Sequence, residues 1–357
     1  MTIPFRTVLI FLSLLMLSAC QYNGETASVE EFEDVGPPLA VEVTGEGDTT
    51  LALVLPFAGS DALVSKQIRN GALLAQEMLS DGKLVLAVEN GAGADYKALK
   101  NPALVAVYAP DGKLSPAPPK KSVTINIGAK PIEKGGLSIV AGDMDSLVAG
   151  LRYAAPSGAP VVILAPESQS DESLQAIAKA VSGTVEVVKY RSEASDKDLV
   201  ALLKEMTDVV AVGFVEGDRK VAEVAAALKK RKVSPLIVGH TGWGTALVRN
   251  PKLEGAIIAR PGGASRALVA QRYTAKFGSA PGEMSLYGFD IAAVASGLVR
   301  QHGKNGITRK RLTSSQGFKG ALGSFRFRED GTVERLYEIN KIVGGKLKII
   351  QSAPAGF

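Results

Sequence analysis

The chain has 357 residues, of which 46% are hydrophobic and 22% charged, and Lys and Arg outnumber Asp and Glu by 41 to 36. This is the balance of an ordinary soluble protein, and the length allows two lobes with proper cores. The single cysteine excludes an intrachain disulfide, and only two histidines accompany it, so the sequence offers no credible zinc-binding set.

The N-terminus has the layout of a secretory signal. Arg6 precedes an apolar run at residues 8–17, and small residues follow. The run is too short to cross a bilayer as a helix, which takes about 20 residues. Residues 17–20 read Leu-Ser-Ala-Cys and resemble the lipobox of bacterial lipoproteins. That resemblance implies that residues 1–19 are a lipoprotein signal peptide and that Cys20 carries the lipid; the alternative is an ordinary signal peptide with an incidental cysteine.

The segment after Cys20 is acidic. Residues 21–48 contain eight acids and no Lys or Arg, with few large apolar side chains and two consecutive prolines. We therefore predict an acidic disordered tether over residues 20–48. More than one acyl chain on the cysteine would hold this tether stably at a membrane. Gln21 stands where an Asp retains enteric lipoproteins at the inner membrane, which favours the periplasmic face of the outer membrane.

The rest of the chain is basic. Residues 49–357 contain 40 Lys and Arg against 28 Asp and Glu, a net charge of +12. Such a body favours anionic surfaces such as phospholipid headgroups or cell-wall polymers; alternatively, the charge only confers solubility. Nothing in the sequence indicates a nucleic-acid partner.

Strands and helices alternate along the body, which predicts an α/β fold with parallel sheets. About nine or ten short strands exceed one small sheet, so we expect two lobes. In the first half, a helix carries Val64, Ile68 and Ala72 on one face. The expected strands of this half lie at residues 51–55, 84–88, 104–108 and 123–127.

The second half repeats the alternation more regularly. The expected helices lie near residues 145–155, 173–181, 196–206 and 220–230, and the strands at 161–164, 185–188, 209–212, 236–238 and 256–258. Two further helices are expected near 268–277 and 286–302, followed by a strand at 323–327. Residues 336–343 and 346–350 flank Gly344 and Gly345, which predicts a C-terminal β-hairpin.

Four stretches resemble type I periplasmic binding proteins of the leucine/isoleucine/valine-binding kind. Residues 53–59 read Leu-Val-Leu-Pro-Phe-Ala-Gly, and residues 70–75 read Asn-Gly-Ala-Leu-Leu-Ala. Residues 272–281 carry Arg-Tyr, Phe-Gly and Pro, and residues 286–293 read Leu-Tyr-Gly-Phe-Asp-Ile-Ala-Ala. The resemblance implies two Rossmann-like lobes. The expected division places residues 49–145 and about 262–320 in lobe one, 146–261 in lobe two, and 321–357 in C-terminal strands near the hinge.

The C-terminal part resembles one branch of that superfamily. Residues 317–335, rich in glycine and phenylalanine, and the Ala-Pro at 353–354 are similar to the ending of penicillin-binding-protein activators. The resemblance implies a lipoprotein that shares the fold and stimulates peptidoglycan synthases.

The ligand loops depart from the pattern of the amino-acid binders. Those proteins hold the ligand carboxylate with Ser and Thr hydroxyls and backbone N–H groups in lobe one, and the ammonium with an acid, often aided by a tyrosine, in lobe two. Here Asp111 lies in a loop where the family has Gly-Pro-x-x-Ser, and Gly128, Ala129 and Lys130 stand near the family's Gly-Ala-Thr. Ser168 lies in a loop without the usual aromatic residue. The amino-acid clamp is therefore not expected intact.

Lobe two offers the densest cluster of candidates. Residues 239–244 read Gly-His-Thr-Gly-Trp-Gly, so His240, Thr241 and Trp243 could face a ligand at the carboxyl end of a strand. The alternative is a tight turn with the tryptophan packed beneath it. Glu216 is either a ligand acid or a helix N-terminal acid favoured by the dipole. Lys130 is either an anion contact or a solvated lysine.

No enzyme signature is present. The sequence has no Gly-x-Ser-x-Gly elbow, no Walker loop and no Gly-x-Gly-x-x-Gly after a strand. We therefore expect a non-enzymatic protein without a cofactor or metal. The departures and the C-terminal resemblance favour a penicillin-binding-protein activator that regulates peptidoglycan synthesis. The alternative is a substrate-binding lipoprotein that delivers branched-chain amino acids or related small molecules to an ABC permease.

Overall fold

The computed structural model describes residues 41–90, 96, 99, 101–109, 117–132, 134–156, 158–181, 183–191, 195, 197–198, 201, 208–229 and 235–357. Cys20, Asp111, the signal peptide and most of the helix expected at 196–206 lie outside these residues. Among the helices described, none is long and apolar enough to span a bilayer.

The elements follow one another in α/β order. The strands are β1 (Val41–Thr44), β2 (Thr49–Leu55), β3 (Leu84–Asn90), β4 (Leu104–Val107), β5 (Val123–Asn126), β6 (Leu137–Ser138), β7 (Val161–Pro166), β8 (Val185–Tyr190), β9 (Ala211–Phe214), β10 (Leu236–Gly239), β11 (Ile257–Pro261), β12 (Phe318–Gly320), β13 (Gly323–Phe327), β14 (Val333–Arg335), β15 (Tyr337–Val343) and β16 (Lys346–Gln351). The helices are α1 (Ala62–Leu79), α2 (Asp143–Ala154), α3 (Asp171–Ala180), α4 (Arg219–Lys229), α5 (Thr245–Val248), α6 (Ser265–Phe277), α7 (Glu283–His302) and α8 (Arg309–Leu312). Short 3-10 turns at Gly59–Asp61, Pro251–Leu253 and Gly303–Asn305 connect some of them.

Sheet A, the sheet of lobe one, has the order β1-β3-β2-β4-β5-β6. Strands β2 to β6 run parallel, as expected from the continuous apolar run at residues 51–55, and β2 is buried along its whole length. Helices α1 and α7 pack on one face of the sheet. Gly71 and Gly288 lie where they cross: a Cβ on Gly71 would collide with the backbone carbonyl of Ser285, and one on Gly288 with that of Ile68. The Asn-Gly-Ala stretch therefore has a packing role.

Strand β1 lies within the segment that was predicted to be a disordered tether. Residues 41–44 pair antiparallel with β3 at the edge of sheet A. Glu42 accepts hydrogen bonds from Arg69 Nε and Nη2, each at 2.6 Å. The carbonyl of Thr44 accepts one from Gln76 Nε2 at 2.9 Å. The prediction of disorder up to residue 48 is therefore wrong over this strand, because its alternating valines and its one paired acid suit a sheet edge.

Sheet B, the sheet of lobe two, has the order β16-β15-β11-β10-β9-β7-β8. Strands β7 to β11 run parallel, and β15 and β16 form the expected antiparallel hairpin at one edge. Strand β9 begins at Ala211, two residues later than expected. Val210, just before it, is partly exposed. Helix α2 packs on this sheet. The expected lobe boundary at residues 145/146 falls inside α2, so we propose a boundary before Asp143.

A third, antiparallel sheet of β12, β13 and β14 lies on the core of lobe one. Phe325 and Phe327 are almost fully buried there. The glycine- and phenylalanine-rich stretch 317–335 is therefore largely a core-forming unit. The α/β class with two parallel-sheet lobes and a C-terminal hairpin is confirmed.

A buried ion pair joins the segments that run between the lobes. Arg335 Nη1 donates to Asp290 Oδ2 at 3.2 Å, and both side chains are fully buried. Nε and Nη2 of Arg335 donate to the carbonyl of Ile139, and the guanidinium stacks on the rings of Tyr287 and Phe325. Asp290 also accepts the N–H of Ala321 at 2.6 Å. Asp290 thus orients its surroundings from within α7 and does not contact a ligand cleft.

Candidate functional site

The carboxyl ends of the parallel strands of sheet B carry the polar candidates. In open α/β sheets this edge is where ligands bind. Tyr190 ends β8, Glu216 follows β9, and His240 follows β10. We call this set of strand ends the lobe-two edge.

Glu216 is held by two partners at the lobe-two edge. Its Oε2 accepts the hydroxyl of Tyr190 at 2.6 Å, and its backbone carbonyl accepts Trp243 Nε1–H at 3.1 Å. Burial, followed by the hydrogen bond and charge of Glu216, raises the pKa of Tyr190, so its hydroxyl stays a donor. The ammonium of Lys220 lies 5.1 Å from the centre of the Tyr190 ring.

This pair leaves capacity for a ligand. A carboxylate has two oxygens with about four lone-pair positions, and Tyr190 uses one. Glu216 is only half-buried, whereas Tyr190 is buried. The carboxylate can therefore accept hydrogen bonds from an ammonium while the phenol keeps it oriented. Sequence reasoning named Glu216 and missed Tyr190, although the tyrosine ends a strand that was expected two residues shorter.

Trp243 lies in the core of lobe two. It is 4% exposed and meets Phe214 edge to face, with ring centroids 6.4 Å apart. A Cβ on Gly239 would overlap its indole, so this glycine is required for the close approach. Of the two sequence interpretations, the tight turn with the tryptophan beneath it describes this geometry. The indole fixes the backbone of Glu216 and presents little surface.

His240 and Thr241 are tied to the start of α2. The hydroxyl of Thr241 donates to Asp143 Oδ1 at 2.6 Å, and the N–H of Gly242 donates to His240 Nδ1 at 3.1 Å. His240 is buried, and its Nε2 has no hydrogen-bond partner within the part of the chain that the structure describes.

The loop Gly128 to Lys130 follows β5 in lobe one, and its carbonyls accept hydrogen bonds from neighbouring residues. Asn126 Nδ2 donates to the carbonyl of Lys130 at 2.7 Å, and the N–H of Val140 donates to the carbonyl of Gly128 at 3.2 Å. A Cβ on Gly128 would lie 2.6 Å from Nδ2 of Asn126. Ala129 and Lys130 are exposed. The side chain of Lys130 is thus the one polar side chain that these three residues present to solvent.

Ser168 occupies an exposed turn after β7. Its neighbour Glu167 donates its N–H to the carbonyl of Tyr190 at 2.8 Å, which places the turn beside the end of β8. The structure therefore gathers Ser168, Glu216, His240, Thr241 and Trp243 along the lobe-two edge. Gly128, Ala129 and Lys130 lie on the other sheet. Across the described ranges, no group of three His, Cys, Asp or Glu side chains is placed to hold a metal ion.

Comparison with known proteins was informative at the level of structure alone. Neither the family models nor the curated protein sequences gave a match. A branched-chain amino acid ABC transporter protein from Rhodospirillum rubrum superposes with a TM-score of 0.67 at 15% identity, over 85% of this chain and 99% of that one.

Two further structures were solved with ligands. The branched-chain amino acid transporter substrate-binding protein from Streptococcus pneumoniae, in complex with isoleucine, has a TM-score of 0.53 at 14% identity, over 86% and 99% of the two chains. An ABC transporter solute-binding protein from Rhodopseudomonas palustris, in complex with 3,4-dihydroxybenzoic acid, has a TM-score of 0.54 at 16% identity, over 87% and 97%. The chain therefore has the fold of type I periplasmic binding proteins of the leucine/isoleucine/valine-binding type.

Proposed function

We propose that this protein is a non-enzymatic receptor that binds a small amine-bearing solute between its lobes and serves an ABC permease. The observation that carries the proposal is the Tyr190–Glu216 pair, a carboxylate oriented by a buried phenol at the lobe-two edge. Its geometry suits an ammonium group, and the structural neighbours include substrate-binding proteins of ABC transporters. Those neighbours bind ligands as different as isoleucine and dihydroxybenzoic acid, so the fold leaves the solute open.

A thermal-shift screen of free amino acids and small primary amines tests this function. A ligand at 100 times its dissociation constant adds about 2.7 kcal/mol to the free energy of unfolding. We expect at least one amine to raise the melting temperature of the wild type and to lose most of that effect in Glu216→Gln. The matched control is Glu167→Gln, an exposed acid beside the same edge. If no amine stabilises the wild type, or if both variants respond equally, the receptor proposal is wrong.

A second function, activation of a peptidoglycan synthase, is favoured by one observation. The three carbonyls of the lobe-one loop at Gly128 to Lys130 accept hydrogen bonds from neighbouring residues of lobe one, and the loop has no hydroxyl side chain. A protein with an ammonium site in lobe two but no carboxylate site in lobe one is better suited to a protein partner than to a zwitterionic amino acid. Binding of the mature chain to a purified penicillin-binding protein, with an increase in its glycan synthesis, would support this function. Absence of binding would leave the receptor function alone.

Anchoring belongs to the same proposal. We infer that Cys20 is lipidated and that residues 21–40 tether the body to the periplasmic face of the outer membrane. Twenty extended residues reach at most about 70 Å, enough to let the body search for a permease or a synthase. Mass spectrometry of the mature N-terminus and membrane fractionation of Cys20→Ser test this inference, since release of the variant from the membrane fraction is expected.

A further inference from the structure

A cavity lies apart from the lobe-two edge. It has a volume of about 610 Å³ and lies between α2 and the strands β14 and β15, with Pro354 of the C-terminal tail beside it. This size falls within the range of sites for small organic ligands. Its walls come from both lobes, because α2 and β15 belong to lobe two, whereas Arg328 and Glu334 extend from the sheet on the core of lobe one. We call it the hinge-side cavity.

Helix α2 separates this cavity from the site already described. Asp143 bonds to Thr241 at the lobe-two edge, whereas Asp145 lines the hinge-side cavity. Residues two positions apart on an α-helix are about 200° apart around its axis. The carboxylates of Asp143 and Asp145 therefore point to opposite sides of α2. Neither Glu216 nor Tyr190 lines the hinge-side cavity.

A buried hydroxyl in the cavity wall has no partner. Tyr337 lines the cavity, and its Oη is inaccessible to solvent and makes no hydrogen bond to any residue that the structure describes. Leaving a buried polar group unsatisfied costs about 1–3 kcal/mol. Burial also raises the pKa of Tyr337, so the hydroxyl remains a hydrogen-bond donor. Since solvent does not reach the hydroxyl, Tyr337 faces the cavity with its ring.

The charges of the lining leave a positive balance. Arg335 is neutralised by Asp290, and Glu334 by Arg326 at 2.7 Å. Among the other charged residues of the lining, Arg152 and Arg328 face one acid, Asp145. Arg328 is partly exposed and lies 3.8 Å from Glu334, too far for a hydrogen bond. Its Nη1 donates to Thr332 Oγ1 at 3.3 Å, and the rest of the guanidinium retains donors for an anion.

We propose that the hinge-side cavity binds a small organic anion with an apolar body. Arg328 holds the anionic group, Arg152 adds positive potential, and the ring of Tyr337 forms part of the wall. The apolar body packs on Val148 and Ile339, which line the same space. Because the anion contacts residues from both lobes, its binding favours one interlobe angle over others. This site is independent of the amine site at Glu216.

Calorimetric titration with phenylacetate, and with its neutral amide phenylacetamide, tests the proposal on the mature chain. We expect phenylacetate to bind and phenylacetamide to bind at least about tenfold more weakly, a difference of 1.4 kcal/mol. Arg328→Gln should weaken phenylacetate binding by about fivefold or more, whereas Tyr337→Phe should leave it unchanged. Tyr337→Phe removes only an unpartnered hydroxyl and should fold as well as the wild type.

Two control variants locate the binding. Lys348→Gln removes one positive charge from the exposed strand β16, outside the cavity, and should leave affinity unchanged. Glu216→Gln should also leave it unchanged, which separates this site from the proposed solute receptor. The proposal is overturned if phenylacetate fails to bind at ~10 mM. It is equally overturned if Arg328→Gln binds as the wild type does, or if Glu216→Gln abolishes binding.

Discussion

Two polar clusters in this protein use carboxylates in opposite ways. Asp290 and Arg335 are fully buried, and the arginine directs donors to Asp290 and Ile139 while it stacks on two rings. Glu216 is half-buried, and the hydroxyl of Tyr190 bonds to only one of its two carboxylate oxygens. A saturated buried pair holds a fold together, whereas an oriented acid with spare acceptors suits a ligand. The difference separates a structural cluster from a binding one.

Removing one member of the structural cluster should have the largest effect. Arg335→Met leaves Asp290 and the carbonyl of Ile139 buried without their partner. We expect a loss of about 3–5 kcal/mol in the free energy of unfolding, measured by urea denaturation. Arg326→Met, whose ion pair with Glu334 is partly exposed, is the matched control and should cost under about 1 kcal/mol. Equal losses would contradict the assignment of a structural role to Arg335.

The pH dependence of stability tests the same pair. Burial raises the pKa of Asp290 to about 6, although Arg335 and backbone donors oppose the rise. Between about pH 4 and 6 the folded chain therefore holds a proton that the unfolded chain releases, so this contribution to stability falls as pH rises. The stability advantage of the wild type over Asp290→Asn should be larger at pH 4.5 than at pH 7. A larger advantage at pH 7 would mean that Arg335 outweighs burial.

Trp243 should matter for stability and, through Glu216, for binding. Trp243→Phe removes the indole donor to the carbonyl of Glu216 and part of a buried ring. We expect a loss of about 1–2 kcal/mol in the free energy of unfolding. Unfolding is monitored by circular dichroism, because the variant lacks the only tryptophan. Amine affinity should fall less in Trp243→Phe than in Glu216→Gln. An unchanged stability would show that the indole is not a core group.

Tyr190→Phe should have the smallest effect on stability. Its hydroxyl bonds to a half-buried carboxylate, so we expect a change under about 1 kcal/mol after allowance for solvent screening. The affinity for an amine ligand should nevertheless fall by roughly threefold to tenfold, because the acid loses its orienting donor. A stability loss as large as that of Arg335→Met would place Tyr190 with the structural cluster.

The sequence predicts the strands better than it predicts their partners. Strand β2 and the hairpin at Gly344-Gly345 can be predicted from the local sequence pattern, and the structure confirms both. Strand β1 was missed because its neighbours are acidic and its pairing with β3 is remote in sequence.

The site was predictable only in part for the same reason. Glu216 stands out as an acid after a strand, but its partner Tyr190 comes from another strand, and local periodicity carries no information on which strands are neighbours. Asp290 and Arg335 are 45 residues apart and meet only once the third sheet has packed on α7. Trp243 could not be assigned from sequence, because a glycine-rich turn suits both a ligand site and close packing.

The most direct test of the account compares a ligand with its analogue that lacks the amine. The strongest amine ligand from the thermal-shift screen and its des-amino analogue would be titrated calorimetrically into the wild type and Glu216→Gln. We predict that the wild type prefers the amine by at least about tenfold and that Glu216→Gln loses this preference, a change of 1.4 kcal/mol or more. Equal preference in the two proteins would contradict the claim that Glu216 receives the ammonium of a solute.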